Sequence, residues 1–166
     1  MCIRDRYGVG DTYTFPHLTL QEFLAAVHVA RLEKFEQLHI IETSCNKKHL
    51  SVVWRFLCGM LDYTSDSSVD TFKNLMERTE DELFKLQCCH ESQCASLCTH
   101  VINTFGSRVV FNASNNLSPS DCVAIGYAIN KSKCQTVISF DGCQLSSEGT
   151  VALLQFGDNP FSLEFK

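Results

Sequence analysis

No run of Lys or Arg in the sequence is longer than the pair Lys47-Lys48, and the formal net charge is -5. Binding to a nucleic-acid backbone needs a clustered basic face, so a nucleic-acid partner is not expected. Long hydrophobic runs are missing too. The stretch from Phe23 to Ala30 is broken by His28 and falls far short of the ~20 apolar residues of a membrane span. No secretory signal is visible, because Met1 to Arg6 is charged and no apolar core of sufficient length comes after it. There is no Gly-x-x-x-x-Gly-Lys-Ser/Thr loop to cradle phosphates. A Cys-x-x-Cys metal knuckle is also lacking.

What is present is ordinary for a globular chain, with one exception. The 166 residues are 45% hydrophobic, enough for one domain or two small ones. The exception is ten cysteines. An even count permits five disulfides only in a secreted protein. Cys58, Cys122 and Cys143 fall among apolar residues, where reduced cysteine acts as a small buried hydrophobe. Free thiols and a cytoplasmic location are expected.

The densest signals lie between Phe15 and Ala26. Tyr13, Thr14 and Phe15 favour a strand end, and Pro16 keeps Phe15 extended. Thr19 stands three residues before Glu22, the spacing of a capping box. Leu20, Phe23, Leu24 and Val27 share one face of a 3.6-residue period. His17 is thereby held between a strand end and a capped helix.

Met1 to Arg6 fits poorly with the residues from Tyr7 onwards and is set aside as a non-native scar. Tyr7 to Leu18 offers too few strands for a sheet of its own, as if the sequence started inside a domain. From Thr19 to Phe105 the pattern is helical. Helices are expected over Thr19–Phe35, Leu50–Leu61, Val69–Thr79, Asp81–His90 and Ala95–Phe105, with Gly106 as a C-cap. Val53, Trp54, Phe56, Leu57, Met60 and Leu61 are read as core.

From Arg108 to Lys166 the sequence repeats itself. Placing Leu117 on Leu145, an offset of 28 residues, also matches Val110 with Ile138, Asn115 with Cys143 and Ser118 with Ser146. Each copy reads as strand, turn and helix, with Ser118 as N-cap and Pro119 at the first helical position. Ile138-x-Phe140-x-x-Cys143-x-Leu145 fits the strand-and-turn half of a leucine-rich repeat. The first copy departs from it at Asn112, as though bulged by one residue around Phe111. A third strand would begin at Phe161 to Phe165, so the array looks truncated. The fold class is therefore mainly α, a helical domain followed by the start of an α/β leucine-rich-repeat solenoid.

Phe15-Pro16-His17-Leu18-Thr19-Leu20-Gln21-Glu22-Phe23-Leu24-Ala25-Ala26 resembles the Phe-x-His-Leu-Thr-x-Gln-Glu-Phe-Leu-Ala-Ala signature of NACHT leucine-rich-repeat receptors, the NLR family of cytosolic innate immune sensors. Trp54-Arg55-Phe56-Leu57-Cys58-Gly59-Met60-Leu61 and Leu86-Gln87-Cys88-Cys89-His90-Glu91-Ser92-Gln93 are similar to that family's second helical domain. The resemblance implies three parts. Residues 1–18 would be the remnant of a winged-helix domain, 19–106 the helical domain and 107–166 the first leucine-rich repeats. It also implies an upstream ATP- or ADP-binding core and an effector domain, neither of which this sequence contains. The whole receptor would recognise a microbial or danger-associated ligand, bind protein partners and self-oligomerise.

Within the family, the histidine of this motif contacts the phosphates of ADP. Carried over, the resemblance makes His17 a nucleotide contact in the intact receptor, its imidazole N–H donating to a phosphate oxygen. The alternative is a structural histidine bonding a nearby carbonyl. No cofactor is expected on this stretch by itself. His90, Cys94 and Cys98 recur every four residues, with Cys88, Cys89 and His100 nearby. On one helix face they could serve zinc, but a mixture of buried and surface thiols is the preferred reading. No carboxylate or Asn is placed to orient an imidazole beside a cysteine, so no catalytic residue is assigned. The rival to a receptor is a leucine-rich-repeat scaffold or inhibitor with a helical cap.

Overall fold

The computed structural model describes residues 3–5, 12–14, 17–132, 134, 136–155 and 162–165. Strands β1 (Ile3–Asp5) and β2 (Thr12–Thr14) pair antiparallel, Ile3 opposite Thr14. The N-terminus that was set aside therefore contributes a strand. Phe15 and Pro16 lie outside the described residues.

The single helix expected over Thr19–Phe35 is two, α1 (Leu18–Ala30) and α2 (Lys34–Ser44). The break is held by a buried amide. Gln37 Nε2 donates to the carbonyls of Ala30 and Leu32 at 3.3 and 3.0 Å, satisfying carbonyls that a helix end leaves without partners. Thr71 Oγ1 in turn donates to Gln37 Oε1 at 3.2 Å. Helix α2 escapes an apolar-period search because its buried face is Gln37, Ile41 and Ser44. Phe35, its largest apolar residue, is 81% exposed.

The next helices match the sequence pattern closely. A 3-10 turn (Lys48–Leu50) leads into α3 (Ser51–Met60), which buries Val53, Trp54, Leu57 and Cys58. Helix α3 packs against α1 on one side and α5 (Glu82–Ser92) on the other. Tyr63 donates to the Cys58 carbonyl at 2.6 Å and sets its ring edge against Phe72. Helix α4 (Asp66–Arg78) starts three residues before the expected Val69 and buries Phe72, Leu75 and Met76. Asp81 caps α5 by accepting from the Phe84 N–H at 3.0 Å. Helix α6 (Ala95–Thr104) buries Leu97, Cys98, Val101 and Ile102, and Gly106 comes after it at φ +75°, the left-handed C-terminal position that glycine tolerates best.

Beyond Gly106 come β3 (Arg108–Asn112), α7 (Pro119–Ser132), β4 (Val137–Asp141), α8 (Ser147–Leu154) and β5 (Ser162–Phe165). The three strands form a parallel sheet in the order β3-β4-β5. The third strand is thus formed, with Val137 opposite Ser162.

The strand register corrects the repeat alignment. Val109, not Val110, lies opposite Ile138, an offset of 29. Val109 and Phe111 point inward while Val110 is 42% exposed. The helices keep the offset of 28, since Ser118 and Ser146 both precede them. The first copy is therefore one residue longer between strand and helix. That residue sits in the turn after Phe111 and not in the strand, which is regular. A 3-10 turn (Ala113–Asn115) takes it up. Asn112 Oδ1 accepts from the Ser114 N–H at 3.0 Å, and Asn115 Oδ1 accepts from the Asn112 N–H at 2.7 Å. Phe111 and Phe140 then stack at 5.9 Å behind the sheet. Ser118 caps α7 as expected: its N–H donates to Asp121 Oδ2 at 2.9 Å, and its Oγ accepts from the Asp121 N–H at 3.3 Å.

Helix α7 packs against α5, α6 and α8, so one buried cluster runs from Ala26 to Leu153. Gly149 makes the α7–α8 contact close: a Cβ there would lie 3.0 Å from Cys122 Sγ. Gly149→Ala is expected to destabilise the chain by about 1–3 kcal/mol through overpacking. Cys122→Ala in the same chain should recover part of that loss in urea denaturation. Additive losses would show that the two positions do not compete for space.

Candidate functional site

His17 is the N-cap residue of α1, extended at φ -137° and ψ 131°. Its carbonyl accepts from the Leu20 N–H at 3.1 Å and the Gln21 N–H at 3.4 Å. Its side chain makes no capping bond and is exposed. The expected Thr19–Glu22 capping box does not form. The helix begins at Leu18, so Thr19 is already inside the first turn, where its hydroxyl no longer faces the open amides.

The buried face of α1 also differs from the expected stripe. Ala26 and Val29 are buried, with Ala25 and Ala30 packed beside them. Leu18 is 68% exposed, Leu24 44%, and Leu20 and Phe23 are exposed as well. The helix is apolar nearly all round, so its pattern does not select a face. The small Ala25-Ala26 pair admits α3 closely, and the Phe23 ring meets it edge-on at Phe56, 5.5 Å between centroids. Solvent therefore meets an imidazole at the head of a helix that shows an apolar face.

The His90–Cys94–Cys98 alignment fails for a backbone reason. Helix α5 ends at Ser92, and Gln93 adopts the left-handed conformation at φ 53°. His90 and Cys98 thus lie on different helices. His90 packs edge-on to Tyr127 at 5.3 Å, and Cys94 Sγ lies 3.3 Å from Ser96 Oγ. Among the described residues, no group of three His, Cys, Asp or Glu side chains is arranged to hold a metal ion.

Four of the thiols are core residues instead. Cys58, Cys88, Cys89 and Cys98 are all buried at the junction of α3, α5 and α6. Burial pushes the Cys88 thiol well above its ordinary range. The Cys98 thiol is held below its ordinary range by hydrogen bonding from Cys89, against its burial and with help from Lys131. All nine cysteines among the described residues are free.

One constellation has no signal in the sequence. Arg108 Nη2 donates to Ser139 Oγ at 3.2 Å and pairs with Glu164 at 2.7 Å, while Ser139 Oγ donates to Asp141 at 2.6 Å. The strand register alone brings these residues from β3, β4 and β5 into one polar row. A cleft of about 620 Å³ lies elsewhere, lined by Asn46, Lys47, Lys48, Glu80 and Asp81 among others. His17 is not part of its lining. No helix among the described residues is long and apolar enough to cross a membrane.

No family model matches the chain, and no curated protein matches it.

The two faces of α1 should respond differently to substitution. Leu24→Gln is expected to change stability by no more than about 0.5 kcal/mol, as for a surface site. Ala26→Leu should cost about 1–3 kcal/mol by forcing α1 off α3. Equal losses in chemical denaturation would mean that the Leu24 face is buried in solution.

Proposed function

We propose that the chain is the regulatory and ligand-sensing part of an NLR-type receptor, a cytosolic innate immune sensor. It covers the end of a winged-helix domain, a helical domain and the first leucine-rich repeats. It is not catalytic by itself and belongs to a nucleotide-controlled oligomerisation switch. The observation that carries the reading is the stretch Phe15–Ala26, where an exposed His17 heads a helix with a solvent-facing apolar face. In the intact receptor that face would pack on the nucleotide-binding part, and His17 would donate to an ADP phosphate. Parallel strands laid down in chain order support the α/β solenoid reading of the C-terminal part, which would take protein partners.

Opening about the helical domain would exchange ADP for ATP and favour oligomerisation, a population shift between closed and open states. The rival is a leucine-rich-repeat scaffold or inhibitor, which needs neither His17 nor a nucleotide core. The transcript upstream of Tyr7 separates the two. A phosphate-binding loop a few hundred residues before His17 is expected, and its absence overturns the receptor reading. In that receptor, His17→Leu should weaken ADP retention and raise signalling without stimulus. Unchanged nucleotide content together with unchanged basal signalling would remove His17 from the switch.

A further inference from the structure

We propose that the cleft between the α2–α3 and α4–α5 connections binds a small zwitterion with an apolar side chain, the chemistry of a free amino acid or a dipeptide. This goes beyond the receptor reading and does not depend on it. The fold brings the two connections together. Helix α2 packs on α4 and α3 packs on α5, so the turn that leaves α2 and the turn that leaves α4 lie side by side. They meet where Cys45 Sγ stands 4.0 Å from the Arg78 carbonyl oxygen. The cleft of about 620 Å³ opens between them, a size within the range of small-molecule sites.

Its lining carries both signs of charge. Lys47 and Lys48 belong to the α2–α3 side, Glu80 and Asp81 to the α4–α5 side. All four are exposed, and none of them is in an ion pair among the described residues. Asp81 commits Oδ1 to the Phe84 N–H, which leaves Oδ2 for a ligand. An anion would be drawn to the lysines and repelled by the carboxylates, and a cation the reverse. A ligand with both charges suits both sides. Its carboxylate accepts from the lysine ammoniums and its ammonium donates to the carboxylates, each a charge-assisted hydrogen bond.

The floor supplies a second, independent observation. Thr79 lines the cleft and is only 6% exposed. Its hydroxyl has no hydrogen-bond partner among the described residues, and it is not shut off within the core. A hydroxyl so deeply placed and unpaired is costly, and a polar ligand atom removes that cost. Beside it the buried Phe84 offers apolar surface, against which an aliphatic side chain can pack.

The test uses the 166-residue chain, isotope-labelled and titrated separately with L-leucine and with L-leucyl-L-leucine while backbone amide shifts are followed. At least one of the two is expected to give saturable shifts in residues 46–51 and 79–84 together; which one does so distinguishes an amino acid from a dipeptide. The same probe with its amine acetylated, or with its carboxylate amidated, should bind about tenfold more weakly or worse, since each change removes one charge-assisted contact. Lys47→Gln combined with Lys48→Gln should weaken binding of the unmodified probe by a similar factor, and Thr79→Val should weaken it several-fold. No saturable shift with either probe overturns the proposal. So does a blocked probe that binds as tightly as its parent, because one charged side alone would then hold the ligand, and so does affinity unchanged by the lysine or threonine substitutions. The probe comparison is made on the unmutated chain, so it decides even if a variant is unstable.

Discussion

The left-handed turn at Gln93 is the constraint on which the arrangement of helices depends. A side chain in this conformation costs roughly 1 kcal/mol or more, and the surrounding groups offset that. The Gln93 N–H and its Nε2 both donate to the His90 carbonyl. Ser92 Oγ donates to the Cys89 carbonyl at 2.8 Å and accepts from the Cys94 N–H at 3.3 Å. Each such bond contributes on the order of 1 kcal/mol net. With its own polar groups satisfied, the chain can reverse in two residues. Helix α6 then lies back on α5, and α7 packs against both. An uninterrupted helix from Asp81 to Phe105 would leave α7 without that seat.

Two polar links then fix the elements on either side of this hairpin. Towards the N-terminus, buried Gln37 joins the end of α1 to α2 and, through Thr71, to α4. Towards the C-terminus, Gln87 Nε2 donates to Asp121 Oδ1 at 2.6 Å, tying α5 to the residue that also completes the Ser118 cap. In both places one side chain satisfies a helix end and ties it to a second element. The apolar cluster supplies most of the burial, but it is non-directional. These amides and carboxylates specify which helix end meets which neighbour.

The sequence was most informative where the apolar period and a cap agreed. Helix α3 was legible from its apolar stripe, and the ends of α7 and α6 from Ser118 and Gly106. Helix α2 was not, because its buried face is built around Gln37 and Ser44, whose burial depends on hydrogen bonds that no apolar period reveals. The face of α1 was misread because an all-round apolar helix has no period to choose by. The break between α5 and α6 was read, between His90 and Ala95, but not its left-handed residue: at Gln93 no glycine marks it, and side-chain hydrogen bonds take glycine's place. The repeat was found, and so was its one-residue mismatch. Its location in the Ala113–Asn115 turn needed the strand pairing. The polar row of Arg108, Ser139 and Glu164 was invisible for the same reason, since residues on separate strands become neighbours only once register is set.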